Sequence, residues 1–259
     1  MSAPVFLADG GAPLATYAAG ATYALGGAEG RHAGVVQRKR AGERVDVVDG
    51  AGTRLRCTVV RADGPSLELA VDEVVREPAP DVVVTLVQAL AKGDRDELAV
   101  EAAIEVGADA VVPWQAERSV VVWRGERAAK SHARWVATVR SATKQARRAW
   151  LAPVDDAHTT RQLAARVRAV VGAGGAAVVL HEEATTPLAA VPLPAPGGAG
   201  GAPELLVVVG PEGGIAEAEL AALVEAGATA ARLGPHVLRT STAGPVAVAL
   251  LSERLGRWA

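Results

Sequence analysis

The sequence predicts an α/β protein in which a small β-rich region precedes a larger region of alternating strands and helices. Residues 1–78 contain short stretches of alternating polar and apolar residues that are separated by tight turns. From residue 81 onward, apolar runs of strand length alternate with helical patterns. One of these runs ends abruptly at Gly210-Pro211-Glu212-Gly213-Gly214, and a helical pattern follows at once. A strand, a glycine-rich turn and a helix in succession are typical of α/β proteins that bind an anionic or nucleotide-like ligand.

The composition favours a globular chain. Its 259 residues are 50% hydrophobic, which is enough to build one large domain or two modest ones. No apolar run approaches the roughly 18 residues that span a bilayer. The first residues, MSAPVFLADGG, lack the basic and apolar regions of a signal peptide. We therefore expect a cytoplasmic protein that has no membrane partner.

The cysteine and histidine content argues against a metal site. Cys57 is the only cysteine, so an intrachain disulfide is excluded. The five histidines are scattered, and no C-x-x-C or H-x-x-x-H pair is present to hold zinc. We therefore expect no metal. The net charge is only −2, so any basic surface that binds an anionic partner must be local.

Three strands are predicted in the first region. Arg44–Val48 alternates and Asp49–Gly52 forms a turn, after which Arg54–Val60 alternates again. Ala62–Pro65 turns the chain into Leu67–Val71. Short strands joined by tight turns predict a small barrel or sandwich.

A linker at Glu77–Pro80 separates this first domain, residues 1–78, from a second domain, residues 79–259. A capping box at Asp94–Glu97 is expected to open a helix that ends at Gly107, and a later apolar helix is expected at Val246–Leu255. The apolar runs predict five strands, namely Val82–Leu86, Ala110–Val112, Ala176–Leu180, Leu205–Val209 and Ala230–Leu233.

The glycine-rich turn at 210–214 fits neither familiar phosphate-binding pattern. It lacks the Lys-Ser/Thr pair of a P-loop and the G-x-G-x-x-G spacing of a dinucleotide-binding fold. A second polar loop at Leu233–Gly244 again follows a strand and is rich in Thr and Ser. Either loop alone could be an ordinary strand-to-helix connection. Two such loops after adjacent parallel strands are expected to converge at the carboxyl edge of the sheet and form one ligand site.

The segment Arg124–Arg148 is strongly basic. At about 100° per residue, its positive charges from Arg127 onward fall on one side of a helix and its apolar residues on the other. A solvated amphipathic helix would have this pattern, and so would a surface that binds RNA phosphates, which we favour in a chain of negative net charge. The segment contains one acid, Glu126, and eight basic residues: Arg124, Arg127, Lys130, Arg134, Arg140, Lys144, Arg147 and Arg148.

Taken together, the motifs resemble those of the 16S ribosomal RNA uridine-N3 methyltransferases of the SPOUT class. GPEGG at 210–214 and LGPHVLRTSTA at 233–243 carry most of the resemblance. It continues in QALAKGD at 88–94, EVG at 105–107, ERS at 117–119 and QARR at 145–148. RHAGVVQR at 31–38 is similar to a motif of the family's N-terminal domain, so the resemblance covers nearly the whole chain.

The resemblance implies a C-terminal SPOUT α/β domain with a trefoil knot and an N-terminal PUA-like β-barrel that binds RNA. It also implies a homodimer, with 16S rRNA in the small ribosomal subunit as the substrate and S-adenosylmethionine (SAM) as the cofactor. The cofactor-binding residues implied are Leu180, His181, Gly210, Gly213, Gly214, Leu233, Gly234, Leu238, Thr240 and Thr242. The RNA-binding candidates are Arg31, Arg38, Lys92, Arg140, Lys144, Arg147 and Arg148.

Arg239 and Glu212 are the catalytic candidates. A cation beside the acceptor base would stabilise the uridinate form, and Arg239 directly follows the expected SAM loop. Glu212 is a candidate proton acceptor, although it could instead pair with Arg239 and serve only the structure. The family commonly has Glu after Arg-Thr where this sequence has Ser241, so a carboxylate base is not expected at that position.

Two alternatives remain open at this point. A non-enzymatic RNA-binding protein would explain the barrel and the basic helix but not the paired glycine-containing loops. A SPOUT enzyme that methylates a tRNA base or a ribose would explain the loops equally well.

Overall fold

A computed structural model describes residues 3–8, 10, 12–197 and 201–258. The chain divides into two compact units. The first comprises Met1–Ala79 and Thr143–Leu151, and the second comprises Pro80–Ala142 and Ala152–Ala259. The segment that carries the QARR motif therefore packs with the N-terminal unit, although it lies far along the sequence.

The first unit is built on a five-stranded sheet. Its strands are β1 (Val5–Leu7), β2 (Thr22–Leu25), β3 (Arg44–Val48), β4 (Thr53–Asp63) and β5 (Ser66–Arg76), in the order β1-β3-β4-β5-β2. β1 pairs with β3 in parallel, whereas the other neighbours are antiparallel. The three predicted strands are present, and β4 and β5 extend beyond the predicted bounds. The closed PUA-like barrel stays a prediction.

Alternation along the strands creates the core of this unit. Every second side chain of β4 and β5 points inward, so that Leu55, Val59, Leu67 and Leu69 are fully buried. The turn between β3 and β4 is fixed by Asp49, whose Oδ1 accepts the backbone N–H groups of Ala51 (2.7 Å) and Thr53 (2.9 Å). A short helix, α1 (Gly27–Arg31), continues into a π-helical turn at His32–Val36.

Arg54 is a buried charge of the first unit that has three hydrogen-bond acceptors. It is only 8% exposed, and its Nη1 donates to Asp46 Oδ2 at 3.0 Å. Its Nε donates to Glu77 Oε1 at 2.7 Å, and its Nη2 donates to the carbonyl of Arg147 at 2.8 Å. One guanidinium thus connects the start of β4 to the segment 143–151, because each of its three nitrogens donates to an acceptor.

The second unit is a parallel sheet with helices on both faces. Its strands are β6 (Val83–Ala89), β7 (Ala110–Gln115), β8 (His158–Thr159), β9 (Ala176–Leu180), β10 (Glu204–Val209) and β11 (Thr229–Ala231). The spatial order is β11-β9-β10-β6-β7-β8, and every neighbouring pair is parallel. All five predicted strands are present, and their boundaries differ from the predicted ones by no more than three residues.

In the described part of this unit, four α-helices lie between these strands and a fifth follows the last strand. They are α2 (Arg95–Glu105), α3 (Glu126–Gln145), α4 (Thr160–Gly172), α5 (Glu217–Glu225) and α6 (Thr240–Arg254), and the last three residues of α3 are counted with the first unit. α2 packs with α6 on one face of the sheet, whereas α4 packs with α5 on the other. The sheet is therefore covered on both sides, which explains why its strands are apolar throughout.

Of the two helix starts that the sequence predicted, α2 begins directly after Asp94 as expected but without the capping box, whereas α6 begins earlier than expected. Asp94 adopts a left-handed conformation (φ 60°) and makes no side-chain capping bond, so the expected capping box does not form. α6 begins at Thr240 instead of Val246 and keeps Pro245 in its interior. The proline removes only one backbone N–H from a helix that is held by packing against α2, β6 and β10. No described helix is long and apolar enough to cross a membrane.

Arg54 provides a test of this architecture. Arg54→Met should lower the free energy of unfolding by about 3 kcal/mol, because Asp46 and Glu77 would lose their shared cation in a buried setting. Arg56→Met is the matched control on the same strand, since Arg56 and its partner Glu73 are both about half exposed. The control should cost under about 1 kcal/mol. Calorimetric scans of both variants would contradict the assignment if their losses were equal.

Candidate functional site

A cavity of about 400 Å³ lies at the carboxyl edge of the parallel sheet. Its walls come from the segments that follow β9, β10 and β11, together with the first residue of α2. The lining residues are Arg95, Leu180, His181, Glu182, Val209, Gly210, Pro211, Glu212, Gly214, Ile215, Val237, Leu238, Arg239, Thr240 and Ala243. The two loops that were expected to converge both line this cavity. Their strands, β10 and β11, are not adjacent as predicted, because β9 lies between them in the sheet. The cavity volume is in the range of small-molecule sites.

The turn after β10 requires glycine at two points. A Cβ on Gly210 would lie 2.6 Å from Ile215 Cγ1, because the chain folds back on itself within five residues. Gly214 has φ +74°, and its N–H donates to the Pro211 carbonyl at 3.0 Å. The turn is therefore tight and presents backbone groups directly to the cavity.

A buried hydrogen-bond chain holds the cavity floor together. Gln88, at the end of β6, is fully buried, and its Nε2 donates to Thr240 Oγ1 at 2.8 Å. The Thr240 hydroxyl in turn donates to the Gly210 carbonyl at 2.8 Å. Gly244 allows α6 to lie this close to β6, because a Cβ on Gly244 would lie 2.9 Å from Leu86 Cδ1. The ends of β6 and β10 and the start of α6 are thereby linked.

Glu212 is held at the cavity by two donors. Its Oε1 accepts the backbone N–H of Lys92 at 3.1 Å and Arg95 Nη1 at 3.0 Å, and its side chain is 26% exposed. Partial burial acts to raise the pKa of this carboxyl. Hydrogen bonds from its own backbone N–H, from Lys92 and from Arg95, together with the charge of Arg95, outweigh burial and lower the pKa below the ordinary value. Glu212 is therefore ionised at neutral pH.

Arg239 lines the same cavity as the glycine-rich turn but comes from the segment that precedes α6. It is exposed and forms the N-cap of α6, and its carbonyl accepts the N–H groups of Thr242 (2.8 Å) and Ala243 (2.9 Å). Throughout the part of the chain that the structure describes, no carboxylate pairs with its guanidinium. The pairing of Arg239 with Glu212 that was considered from the sequence is absent, because Glu212 pairs with Arg95.

A third loop reaches the glycine-rich turn from β7. Arg118 Nη1 donates to the Gly213 carbonyl at 3.2 Å. The loop is fixed by the buried Glu219 of α5, whose Oε1 accepts the Glu117 N–H (2.9 Å) and the Thr160 hydroxyl (2.5 Å). The ERS motif at 117–119 thus supports the turn from outside the cavity.

Most of the cofactor-binding candidates lie in this cavity. Leu180, His181, Gly210, Gly214, Leu238 and Thr240 line it, as do both catalytic candidates. Gly213 lies in the same turn but outside the lining, and Thr242 is exposed and also lies outside the lining. Leu233 and Gly234 instead line a neighbouring depression of about 610 Å³ with residues of α6.

The RNA-binding candidates have different surroundings. Arg31, Arg38 and Lys92 are exposed, and Arg38 has a left-handed backbone (φ 53°). Lys144 is partly buried, and its Nζ donates to both oxygens of the buried Glu29, at 2.9 and 3.1 Å. Arg140 and Arg148 are half-buried, and Arg147 is exposed with φ 57°. Structural pairing therefore already compensates the charge of Lys144.

Three residues near the cavity were not singled out individually by the sequence analysis. Gln88 and Arg118 were quoted only within motifs, and Arg95 follows the last residue of the QALAKGD motif. Their roles depend on partners that are more than 90 residues away in the sequence, so local pattern carried no signal for them. Among the described residues, no group of three or more His, Cys, Asp or Glu side chains could hold a metal ion.

Comparison with known proteins places the chain in a family. The model of a family described as an RNA methyltransferase domain matches residues 77–252. The chain is 48% identical over 239 residues to the ribosomal RNA small subunit methyltransferase E of Mycobacterium bovis, which covers 92% of this chain and 89% of that protein. The protein of the same name from Bacillus subtilis is 30% identical over 237 residues, with 89% and 90% covered.

Solved structures agree with this family. A ribosomal RNA small subunit methyltransferase E from Neisseria gonorrhoeae, bound to S-adenosyl methionine, has a TM-score of 0.81 and 26% identity, with 98% of each chain covered. A methyltransferase from Legionella pneumophila has a TM-score of 0.82 at 24% identity over 98% of each chain, which shows a shared fold. The resemblance seen in the sequence motifs is confirmed. The chain belongs to the RNA methyltransferase domain family and, within it, to the ribosomal RNA small subunit methyltransferase E family.

Proposed function

We propose that this protein is a SAM-dependent methyltransferase of 16S rRNA in the small ribosomal subunit and that it methylates N3 of one specific uridine. The observation that carries the proposal is the cavity in which the glycine-rich turn, Glu212 and Arg239 meet. Membership of the ribosomal RNA small subunit methyltransferase E family supports the substrate class. The uracil N3 position rests on the motif resemblance and on the chemistry that these two side chains can supply.

The lining of the cavity fits SAM. Apolar side chains such as Leu180, Ile215 and Leu238 suit the adenine ring, and backbone groups of the glycine-rich turn suit the ribose and methionine parts. Glu182 offers carboxylate oxygens that can accept ribose hydroxyl protons. When bound, SAM supplies an activated methyl group on a sulfonium.

The protein must position the uracil and help remove its N3 proton. Arg239 lines the cavity without a carboxylate partner among the described residues, so its full charge is available to stabilise a developing uridinate. Glu212 is ionised and can accept the proton. Ser241 is half-buried and lies outside the cavity lining, which agrees with a minor role for this position.

The RNA is proposed to bind through exposed cations on both units. Arg31 and Arg38 of the first unit and Lys92 of the second are exposed, and phosphate contacts of this kind fix an RNA in register. Arg140, Arg147 and Arg148 remain candidates from the basic segment. Lys144 is a weaker candidate, because binding a phosphate would compete with its pairing to Glu29.

The remaining architectural expectations belong to this proposal. They are a trefoil knot in a domain of residues 79–259, a PUA-like barrel in residues 1–78, and a cytoplasmic location, where small ribosomal subunits occur. The knot is supported by the origin of the cavity, whose walls come from the segments after β9, β10 and β11. Knotted chains are rare enough that a family resemblance is needed to propose one.

The direct test is methylation of small subunits from a strain that lacks the gene. Wild-type protein with SAM should restore N3-methyluridine at one site in 16S rRNA, identified by nucleoside mass analysis. A methylated ribose or a methylated tRNA would transfer the assignment to another SPOUT reaction. Failure to bind SAM in a calorimetric titration would leave a non-enzymatic RNA-binding protein.

Variants of Arg239 and Ser241 test the proposed chemistry at the two positions where charge stabilisation is assigned to Arg239 and where the family commonly has Glu instead of Ser241. Arg239→Ala should reduce kcat by about a hundredfold while the affinity for SAM changes little, since a stabiliser of transition-state charge is lost. Ser241→Ala should be mild, because a neutral hydroxyl contributes only about 0.5 to 1.5 kcal/mol. Single-turnover methylation of small subunits measures both. A larger loss for Ser241→Ala would remove Arg239 from its proposed role.

Variants of Arg38 test the proposed RNA-binding surface without an expected loss of folding stability. A non-glycine residue at φ 53° is strained, so Arg38→Gly should keep or raise the Tm while it weakens RNA binding. Arg38→Gln should weaken binding equally and leave the strain in place. Both variants should also lower the salt dependence of RNA binding, measured as the slope of log affinity against log salt concentration, by the amount expected for the loss of about one phosphate contact. Arg56→Gln, in the same unit, is the control, and equal effects on binding at both positions would show only a loss of general charge.

A homodimer is also proposed, as the family resemblance implies. The apolar run Val246–Leu251 gives it little support, because Ala247, Val248 and Leu251 are buried within the chain itself. Leu250 remains 47% exposed and lines the depression that contains Leu233 and Gly234. We expect a dimer by light scattering at micromolar concentration, and Leu250→Glu should yield monomers. A monomeric wild-type protein would contradict this part of the proposal.

A further inference from the structure

Arg95 is the first residue of α2 and reaches the glycine-rich turn across the cavity. Its Nη1 donates to Glu212 Oε1 at 3.0 Å, and the same oxygen accepts the backbone N–H of Lys92 at 3.1 Å. Both Arg95 and Glu212 line the cavity. The carboxylate is thus held by two donors from one loop, although it belongs to a turn more than 110 residues later.

The loop that supplies these donors is itself anchored in the interior. Asp96 is 5% exposed, and its Oδ2 accepts the Ala91 N–H at 3.2 Å while its Oδ1 accepts the Glu97 N–H at 2.9 Å. Asp94 takes the left-handed conformation that turns the chain into α2. Arg95 therefore starts from a fixed backbone, which reduces the freedom of its guanidinium around Glu212.

We infer that Arg95 is a positioning residue for methyl transfer, which holds the Glu212 carboxylate at the cavity in the orientation that accepts the N3 proton. This inference rests on the proposed function. In the step concerned, the N3–H proton passes to Glu212, and the N3 electron pair forms the bond to the methyl carbon. The electron pair of the broken carbon–sulfur bond stays on sulfur, so that atoms and charge balance.

The electrostatic part of this role depends on all the charges around Glu212. Lys92 and Arg95 come from the segment after β6, and Arg118 comes from the loop after β7, where it contacts the Gly213 carbonyl. His181 and Glu182 follow β9, and Arg239 precedes α6. Of the side chains in this set, Arg95 forms the ion pair with Glu212.

The sign of the expected pH effect follows from this pairing. The pKa of Glu212 lies below its ordinary value despite partial burial, because hydrogen bonds from its own N–H, Lys92 and Arg95 outweigh desolvation. Without the Arg95 charge, less remains to offset the effect of burial, so the pKa of Glu212 rises. Since the ionised form accepts the proton, activity would then be lost at a higher pH as the solution is acidified.

The experiment compares Arg95→Gln, Arg95→Lys and the control Arg118→Gln. Arg118 supports the same turn through Gly213 without contacting the Glu212 carboxylate, so its loss tests for a general loosening of the turn. The first measurement is an NMR titration of the ¹³C-labelled Glu212 carboxyl in the SAM-free protein, with the resonance assigned through Glu212→Gln. The second is the single-turnover methylation rate from about pH 5 to 8, a range whose acidic end approaches the pKa values of carboxyl groups.

Arg95→Gln should move the Glu212 titration to higher pH. On acidification to about pH 5.5, the methylation rate of this variant should fall at least about threefold more than the wild-type rate. Arg95→Lys should move the titration less, because a cation is retained. Arg118→Gln should leave the titration in place. A rate loss that is equal at every pH, with an unmoved Glu212 titration, would overturn the inference and leave Arg95 as a structural brace.

The two proposals can fail separately. If the wild-type protein does not methylate small subunits, the proposed function fails, whereas the titration still tests whether Arg95 controls Glu212. If methylation occurs and the acid limb is unchanged in a folded Arg95→Gln, only the present inference fails. Should Arg95→Gln not fold, Arg95→Lys carries the same comparison, because a longer or misaligned contact should move the titration in the same direction.

Discussion

The hydrogen-bond chain from Gln88 through Thr240 to the Gly210 carbonyl is the interaction on which the site depends. It joins the end of β6, the start of α6 and the glycine-rich turn, which are far apart in the sequence. Gln88 is fully buried, so its amide has no water to replace a lost partner, and an unpaired amide in the interior costs about 1 to 3 kcal/mol. This series of hydrogen bonds is therefore strongly favoured, and the loops that it connects have defined positions around the cavity.

Two buried carboxylates extend this control to the surrounding loops. Glu219 links the loop after β7, through Glu117, to the start of α4, through Thr160, and Asp96 holds the loop after β6 through Ala91. Each accepts backbone N–H groups that would otherwise lack partners in the interior. As a result, the guanidinium groups of Arg118 and Arg95 reach the glycine-rich turn from two different strands. Rigid placement of this kind is what a site needs if it is to stabilise charge that develops during a reaction.

The positive charges of the chain serve two different purposes. Arg54, Lys144 and Arg134 are paired with acids of their own unit, and Arg54 and Lys144 are partly or fully buried in doing so. Arg239 and Arg38 are exposed and have no acid partner within the described ranges 3–8, 10, 12–197 and 201–258. A count of basic residues along α3 could not make this distinction, because pairing depends on neighbours such as Glu29 and Glu97 from other elements. The basic arc of that helix is therefore in part structural.

The α/β class, five strands of the parallel sheet and the convergence of the loops at Gly210–Gly214 and Leu233–Gly244 could be predicted from the sequence. Apolar strand runs and glycine-rich turns are local patterns, and parallel strands place their carboxyl ends at one edge. Three other features could not be predicted and are seen only in the folded chain. Glu212 pairs with Arg95 instead of Arg239, Leu233 and Gly234 line a separate depression, and Thr143–Leu151 belongs to the first unit. The start of α6 at Thr240 was also settled there, since packing against α2 outweighs the local cost of Pro245. These features depend on contacts between residues that are distant in sequence, and such contacts leave no periodic signal in the chain itself.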